Sequence, residues 1–346
     1  MEAPETRYVA VGDADVAYQV VGNGPLDLLW CYGVGGHIDL FWEMPYGTEY
    51  LTRLASFSRL ILFDRRGTGA SGAATLNTPP WEDFTEDMRA VLDAAGSEST
   101  ALMATLETGP IARLFAAMHP ERVSALVLLN TSARYLEADG YPIGASSAAV
   151  EALVASTWGT EEMQSFGNPT WAEDPEFSRM SARLNRASAT PRAVAAQYDY
   201  FLRNVDVRHA LPLIQSPTLV LHGQNPVMPI SHGRYLADHI ENATFIELPA
   251  ADLGPQDAGV VAEVAEFLTG ERTGRDVERI LTTVLFTDIV GSTERAASLG
   301  DDRWRSLLDS HDGSLREQLR RFRGREINTT GDGFLASFDG PARSIR

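Results

Sequence analysis

A chain of 346 residues, 44% apolar and 9% aromatic, is long enough for a sizeable core and suggests about two domains. Its formal charge of −18 argues against nonspecific binding to nucleic acid or to an anionic membrane surface. All 29 basic residues are arginine, which excludes Schiff-base and lysine-nucleophile chemistry, and the single cysteine, Cys31, excludes an internal disulfide. No run approaches the roughly 18 apolar residues that span a bilayer, and the opening MEAPETR does not look like a secretion signal, so no membrane span and a cytoplasmic location are expected.

Residues 7–22 alternate in polarity as a hairpin around Gly12-Asp13. A largely apolar strand follows at 26–31, then the small-residue loop Gly33-Val34-Gly35-Gly36, then a second buried strand at 59–63 that closes on DRRGTGAS. Helical and strand patterns then alternate: helix over 85–95, strand over 100–105, helix over 111–119, strand over 125–130. Such alternation predicts a mostly parallel sheet covered on both faces. From about 135 to 209 the pattern turns to helical segments broken by Gly and Pro, a candidate cap, and α/β alternation resumes at strand 218–222, helix 233–240, strand 244–248 and helix 260–268. The glycine-punctuated run after Gly270 predicts a linker over 271–279.

Residues 1–270 resemble the α/β-hydrolase family, carried by DRRGTGAS, GPIARLFAAMHPERV, PTLVLHG and HGRYLADHI followed by ELP. The resemblance implies a nucleophile on a G-x-S-x-G turn, which falls on Ala104-Thr105-Leu106-Glu107-Thr108. Leu106 stands at the nucleophile position, and the larger residues at both glycine positions predict that the tight turn relaxes. The family's acid falls on Asn225 and its general base on Leu253, so the triad is read as degenerate and hydrolysis as lost. Glu107 is expected to face the cleft, solvated under the cap. Cys31 is expected to be a buried, inert thiol, and Asp64 and Arg65 to be structural. The cleft under the cap is expected to survive as a pocket for a small apolar ligand.

The stretch 281–334 carries two carboxylates in settings that suit a metal-phosphate site. An apolar run ends at Asp288 and turns through Gly291-Ser292-Thr293 toward a helix capped by Ser292 or Thr293, leaving backbone N–H groups for phosphate oxygens. Asp332 lies between Gly331 and Gly333 in a hairpin, although an Asp there is ordinarily only a turn residue. A long helix is predicted over 302–322, and the nearby arginine cluster is read as a solvated face.

FTDIVGST at 286–293 followed by NTTGDGF at 328–334 resembles the first half of a class III nucleotidyl cyclase domain. The resemblance implies an α+β domain over 280–346, cut short at Arg346, working as a homodimer on ATP or GTP. It implies two Mg²⁺ or Mn²⁺ ions on Asp288, Asp332 and the Ile289 carbonyl, with the triphosphate on Ile289, Val290, Gly291, Ser292 and Thr293. Asn328 stands where the family carries a purine-reading lysine. The two resemblances together match mycobacterial-type fusions of a hydrolase-like module with a cyclase. They imply an adenylyl cyclase, a lyase making cyclic AMP in signalling, with a regulatory pseudo-hydrolase in front and this chain inactive by itself. One alternative is an active esterase-like α/β-hydrolase with a non-standard triad, using Thr105, Thr108 or Ser71 as nucleophile and His222 or His232 as base. Another is a ligand-binding or dimerisation pseudo-hydrolase.

Overall fold

The computed structural model describes residues 3–72, 80–144, 157–225, 228–249, 252, 258–271, 282–322, 324–330 and 333–339. The chain divides into two compact units, 1–273 and 274–346.

The first unit is built on an eight-stranded sheet of order β1-β2-β4-β3-β5-β6-β7-β8. Strands β1 (Arg7–Val11) and β2 (Ala14–Val21) form the antiparallel hairpin, its turn made by Gly12 at φ +64°. Strand β2 runs antiparallel to β4 (Arg59–Phe63), and every other pairing, from β3 (Asp27–Cys31) through β5 (Thr100–Thr105), β6 (Val123–Leu129) and β7 (Thr218–His222) to β8 (Ala243–Glu247), is parallel. Strands covered on both faces need apolar side chains on both, and the central ones have them. Leu29, Ile61, Leu102 and Val220 join one core, while Leu28, Leu60, Met103 and Leu219 join the other.

Helices α3 (Trp81–Ala94) and α4 (Thr108–Met118) cover the first of these faces. Helix α2 (Pro45–Phe57), which follows the single turn α1 (Ile38–Phe41), covers the second. Helix α2 has no counterpart among the expected elements. Pro45 starts it, where a missing N–H costs nothing, and Tyr50, Leu51, Leu54 and Phe57 supply its buried stripe.

Between β6 and β7 lies the cap, with helices α5 (Glu162–Gly167), α6 (Pro175–Ser188) and α7 (Pro191–Asn204). The last two start alike. Asp174 accepts from the Glu176 and Phe177 N–H groups ahead of Pro175, and Thr190 accepts from Ala193 N–H ahead of Pro191. Helices α8 (Ser231–His239) and α9 (Ala258–Thr269) complete the unit.

The second unit pairs β10 (Arg325–Thr330), β11 (Gly333–Asp339) and β9 (Thr282–Asp288) as an antiparallel sheet of order β10-β11-β9. Helices α10 (Ser292–Leu299) and α11 (Asp301–Phe322) accompany it, and Leu319, Phe334 and Ala336 form its small core. The expected cap of α10 is corrected. Gly291 at φ +70° holds the cap position without a side-chain bond, because the left-handed turn there brings the chain into the helix one residue sooner. Among the described residues, no helix is long and apolar enough to cross a membrane.

Candidate active site

Strand β5 ends at Thr105 and α4 begins at Thr108, and Leu106 between them sits in the left-handed region at φ +50°. The predicted relaxation of this turn is therefore overturned. The physical reason is Thr108. Its Oγ1 accepts from Thr105 N–H at 3.1 Å and lies 2.7 Å from the carbonyls of both Cys31 and Thr105, so side-chain bonds hold the tight turn that glycine would otherwise permit. The Leu106 carbonyl in turn accepts from Gly109 N–H at 3.2 Å and Thr131 Oγ1 at 2.6 Å.

A leucine in this region carries backbone strain of about 1 kcal/mol. Leu106 also packs against the cluster of Tyr135, Phe201 and Met228. Leu106→Ala and Leu106→Gly lose that packing equally, but only glycine relieves the strain. The Gly variant is expected to be more stable than the Ala variant by about 1 kcal/mol, the reverse of the usual order. Equal urea midpoints for the two would mean that the turn is unstrained.

Glu107 is not solvated as expected; it is 6% exposed. Its Oε1 accepts from Val34 N–H at 2.5 Å and lies 3.5 Å from Arg65 Nη2, while its Oε2 is buried without a partner among the described residues. The carboxylate fits because residue 33 is glycine: a Cβ there would meet Glu107 Oε1 at 2.7 Å. Val34 N–H, in the loop after β3 and beside the elbow, occupies the place from which this fold stabilises an oxyanion. Arg65 thus lies against Glu107 as well as in the turn. Asp64 keeps the structural role expected of it. It accepts from Tyr32 O–H and from the Ala70 and Ile38 N–H groups, and burial pushes its carboxyl up to about 6.

Asn225 is buried just past β7, and Leu253 lies outside the described residues. Sequence reasoning missed Asn130, which has φ +46° at the end of β6. Its Nδ2 donates to the Asp252 carbonyl at 3.1 Å and its Oδ1 accepts from Gly223 N–H at 2.9 Å. One side chain thereby ties the loops after β6, β7 and β8, the two latter being those on which the family's acid and base positions fall. An Asn after a strand gives no sequence signal for such a tie.

The substitute residues fare unequally. Ser71 Oγ donates to the Asp64 carbonyl and accepts from Ala17 N–H, and Thr108 is held in the elbow. His222 Nε2 lies 3.1 Å from the Met228 carbonyl and His232 Nδ1 lies 2.7 Å from Tyr141 Oη; burial lowers both imidazoles to about 4. The Cys31 thiol is buried and pushed up to about 12, inert as expected.

Thr105 and Leu106 line a cleft of about 170 Å³ with walls from the loop after β3, from α1 and α2, and from cap helices α5 and α6. Aromatic rings of Trp30, Tyr32, Phe41 and Tyr50 gather on its sheet side.

Residues 28–253 match the family described as alpha/beta hydrolase fold. The chain belongs to the α/β-hydrolase family. Across 68% of its length this α/β-hydrolase is 28% identical to a pimeloyl-[acyl-carrier protein] methyl ester esterase of Chromobacterium violaceum, covering 90% of that protein. It is 30% identical to 3-oxoadipate enol-lactonase 2 of Acinetobacter baylyi, over 56% of this chain and 72% of that one. A hydrolase structure from Pseudomonas aeruginosa superposes with a TM-score of 0.62 at 25% identity, over 78% of this chain and all of that one.

These matches correct the expected activity. The family and the relatives named are hydrolases, which overturns the reading as an adenylyl cyclase, a lyase making cyclic AMP from ATP, and with it the reading of hydrolysis as lost. In the second unit, Asp288 ends β9 and pairs with Gly333, Asn328 pairs with Leu335, and Ile289 accepts from Ser292 N–H at 3.1 Å. Val290 is 86% exposed. Asp332 lies outside the described residues, among which no group of three His, Cys, Asp or Glu side chains could hold a metal ion. No step is derived through Mg²⁺ or Mn²⁺.

Proposed function

We propose that this α/β-hydrolase acts on a small carboxylic ester or lactone in the cap cleft without a nucleophile at the elbow. The substrate class follows the relatives' names, and the chemistry rests on one observation: a buried carboxylate oxygen of Glu107 that has no partner among the described residues and lies directly behind Gly33, which lines the cleft. Leu106 has no lone pair, so no acyl-enzyme forms on it, and attack falls to water. The water oxygen bonds the acyl carbon as Glu107 Oε2 takes its proton, and the departing alkoxide then receives that proton. The test is hydrolysis of a panel of aryl acetates and butyrates by residues 1–346 against a buffer blank. Turnover above the blank is the expected result.

A second reading, binding without turnover, is favoured by a different atom of the same residue. Glu107 Oε1 already takes Val34 N–H, the donor that would stabilise a developing oxyanion, and loss of one such donor costs about 100- to 1,000-fold in rate. No turnover on any ester, with ligand binding retained, would make the cleft a receptor.

A further inference from the structure

Cap helix α6 meets the cleft through Phe177, Ser181, Leu184 and Asn185. Their spacing is that of one buried helical stripe, and none of the four is more than 7% exposed. A stripe packed only against protein would be apolar. Here two of the four positions are polar, and polar groups withdrawn from water need partners.

Both polar side chains have capacity to spare. Ser181 Oγ has no hydrogen-bond partner among the described residues, yet it is not one of the buried atoms sealed from solvent, so it borders open space where its residue lines the cleft. Asn185 Nδ2 donates to Met163 Sδ at 3.4 Å, which leaves the amide oxygen toward the loop after β3. There a Cβ on Gly35, itself part of the cleft wall, would stand 2.7 Å from Asn185 Oδ1. No donor among the described residues bonds that oxygen, and it too is not sealed.

Residues four apart on a helix hold their Cβ atoms about 5–6 Å from each other, so one small group can reach both side chains. A hydroxyl between them donates to Asn185 Oδ1 and accepts from Ser181 Oγ–H. A carbonyl oxygen can only accept, and a hydrocarbon does neither.

We infer that Ser181 and Asn185 are specificity-determining residues that select a ligand bearing a hydroxyl group. The ester or lactone proposed for this cleft is then a hydroxylated one. This rests on the reading of the cleft as the ligand site, but not on turnover.

The experiment measures binding alone, with three probes on one carbon skeleton: 1-phenylethanol, which donates and accepts; acetophenone, which only accepts; and ethylbenzene, which does neither. One ring suits the cleft of about 170 Å³, since a cavity of roughly 150 Å³ binds benzene. Calorimetry on the full chain is expected to give 1-phenylethanol at least about tenfold tighter binding than either of the others, because a site built to bond a hydroxyl rejects its analogues. Ser181→Ala removes the hydroxyl, and the nearly isosteric Asn185→Leu removes the acceptor. Each is expected to cut the preference for 1-phenylethanol over ethylbenzene about tenfold while ethylbenzene itself stays within about twofold. Ethylbenzene or acetophenone binding the unmodified protein as tightly as the alcohol would overturn the inference, whether or not the variants fold. So would equal weakening of all three probes in the variants, which would mark the two residues as packing only. Absence of binding by all three would overturn it as well. Because none of the probes is an ester, failure of ester turnover would leave these outcomes standing.

Discussion

Glu107→Gln is expected to lower kcat for aryl-ester hydrolysis about 100-fold while KM stays within about twofold. The amide is nearly isosteric, and its oxygen still accepts from Val34 N–H, so the loop after β3 has no reason to move. What disappears is the basic oxygen. Glu107 stands outside the residues lining the cleft, behind Gly33, so the binding surface is unchanged and the loss falls on kcat. An unchanged kcat would remove Glu107 from the reaction. Leu106→Ser gives a useful contrast, because it places a hydroxyl on the strained elbow, where the family carries its nucleophile, without supplying a base. His222 and His232 are buried and bonded elsewhere, and Leu stands at the base position, so the serine is expected to add no activity. A gain of tenfold or more would mean that a base reaches the elbow after all.

The sheet was largely legible and the site only partly so, for physical reasons that individual residues expose. Strands at 59–63, 100–105 and 218–222 are short apolar runs bounded by turn residues, and their observed limits match the reading. Helix α2 escaped notice because Pro45 and Gly47 look like loop punctuation, although Pro45 is a helix start and Gly47 lets the Phe41 carbonyl approach to 2.4 Å from where a Cβ would stand. The position of Leu106 could be counted from the motif, but the shape of its turn could not. Residue size at 104 and 108 pointed to relaxation, whereas the hydroxyl of Thr108 bonds across the turn and holds it. The bond from Val34 N–H to Glu107 spans 73 positions, and no local pattern announces a contact of that range. The cyclase reading failed in another way. Two short motifs described turns and carboxylates within 280–346, and a whole-chain activity was hung on them while the larger family-bearing segment, 28–253, carried the identity.

Acid is expected to weaken the first unit well before its carboxylates are exhausted. Burial lowers His222 and His232 to about 4, and repulsion from His222 lowers His232 further, against about 6.5 in an unfolded chain. A depressed folded value means that the stabilising contribution is complete above pH 6.5 and is lost as pH falls toward 4, because the unfolded chain binds protons that the fold refuses. At pH 5 each histidine should have cost about 2 kcal/mol relative to pH 7. Asp64 works in the opposite direction. Burial raises it to about 6, so its contribution is complete below its unfolded value and lost as pH rises through 6, and acidification to pH 5 returns about 1 kcal/mol. The net expectation for the wild type is a loss of about 2 to 3 kcal/mol between pH 7 and pH 5, read from urea unfolding at each pH. Comparison with a His222→Gln, His232→Gln double variant separates the two sources, since Asp64 is common to both proteins. Glutamine cannot titrate, yet it can still donate toward the Met228 carbonyl and bond Tyr141 Oη. The double variant should therefore keep or slightly gain stability over the same interval. A loss equal to that of the wild type would mean that these imidazoles accept protons without unfolding, and that their burial against Met228 and Tyr141 is not what sets the acid limit of the fold.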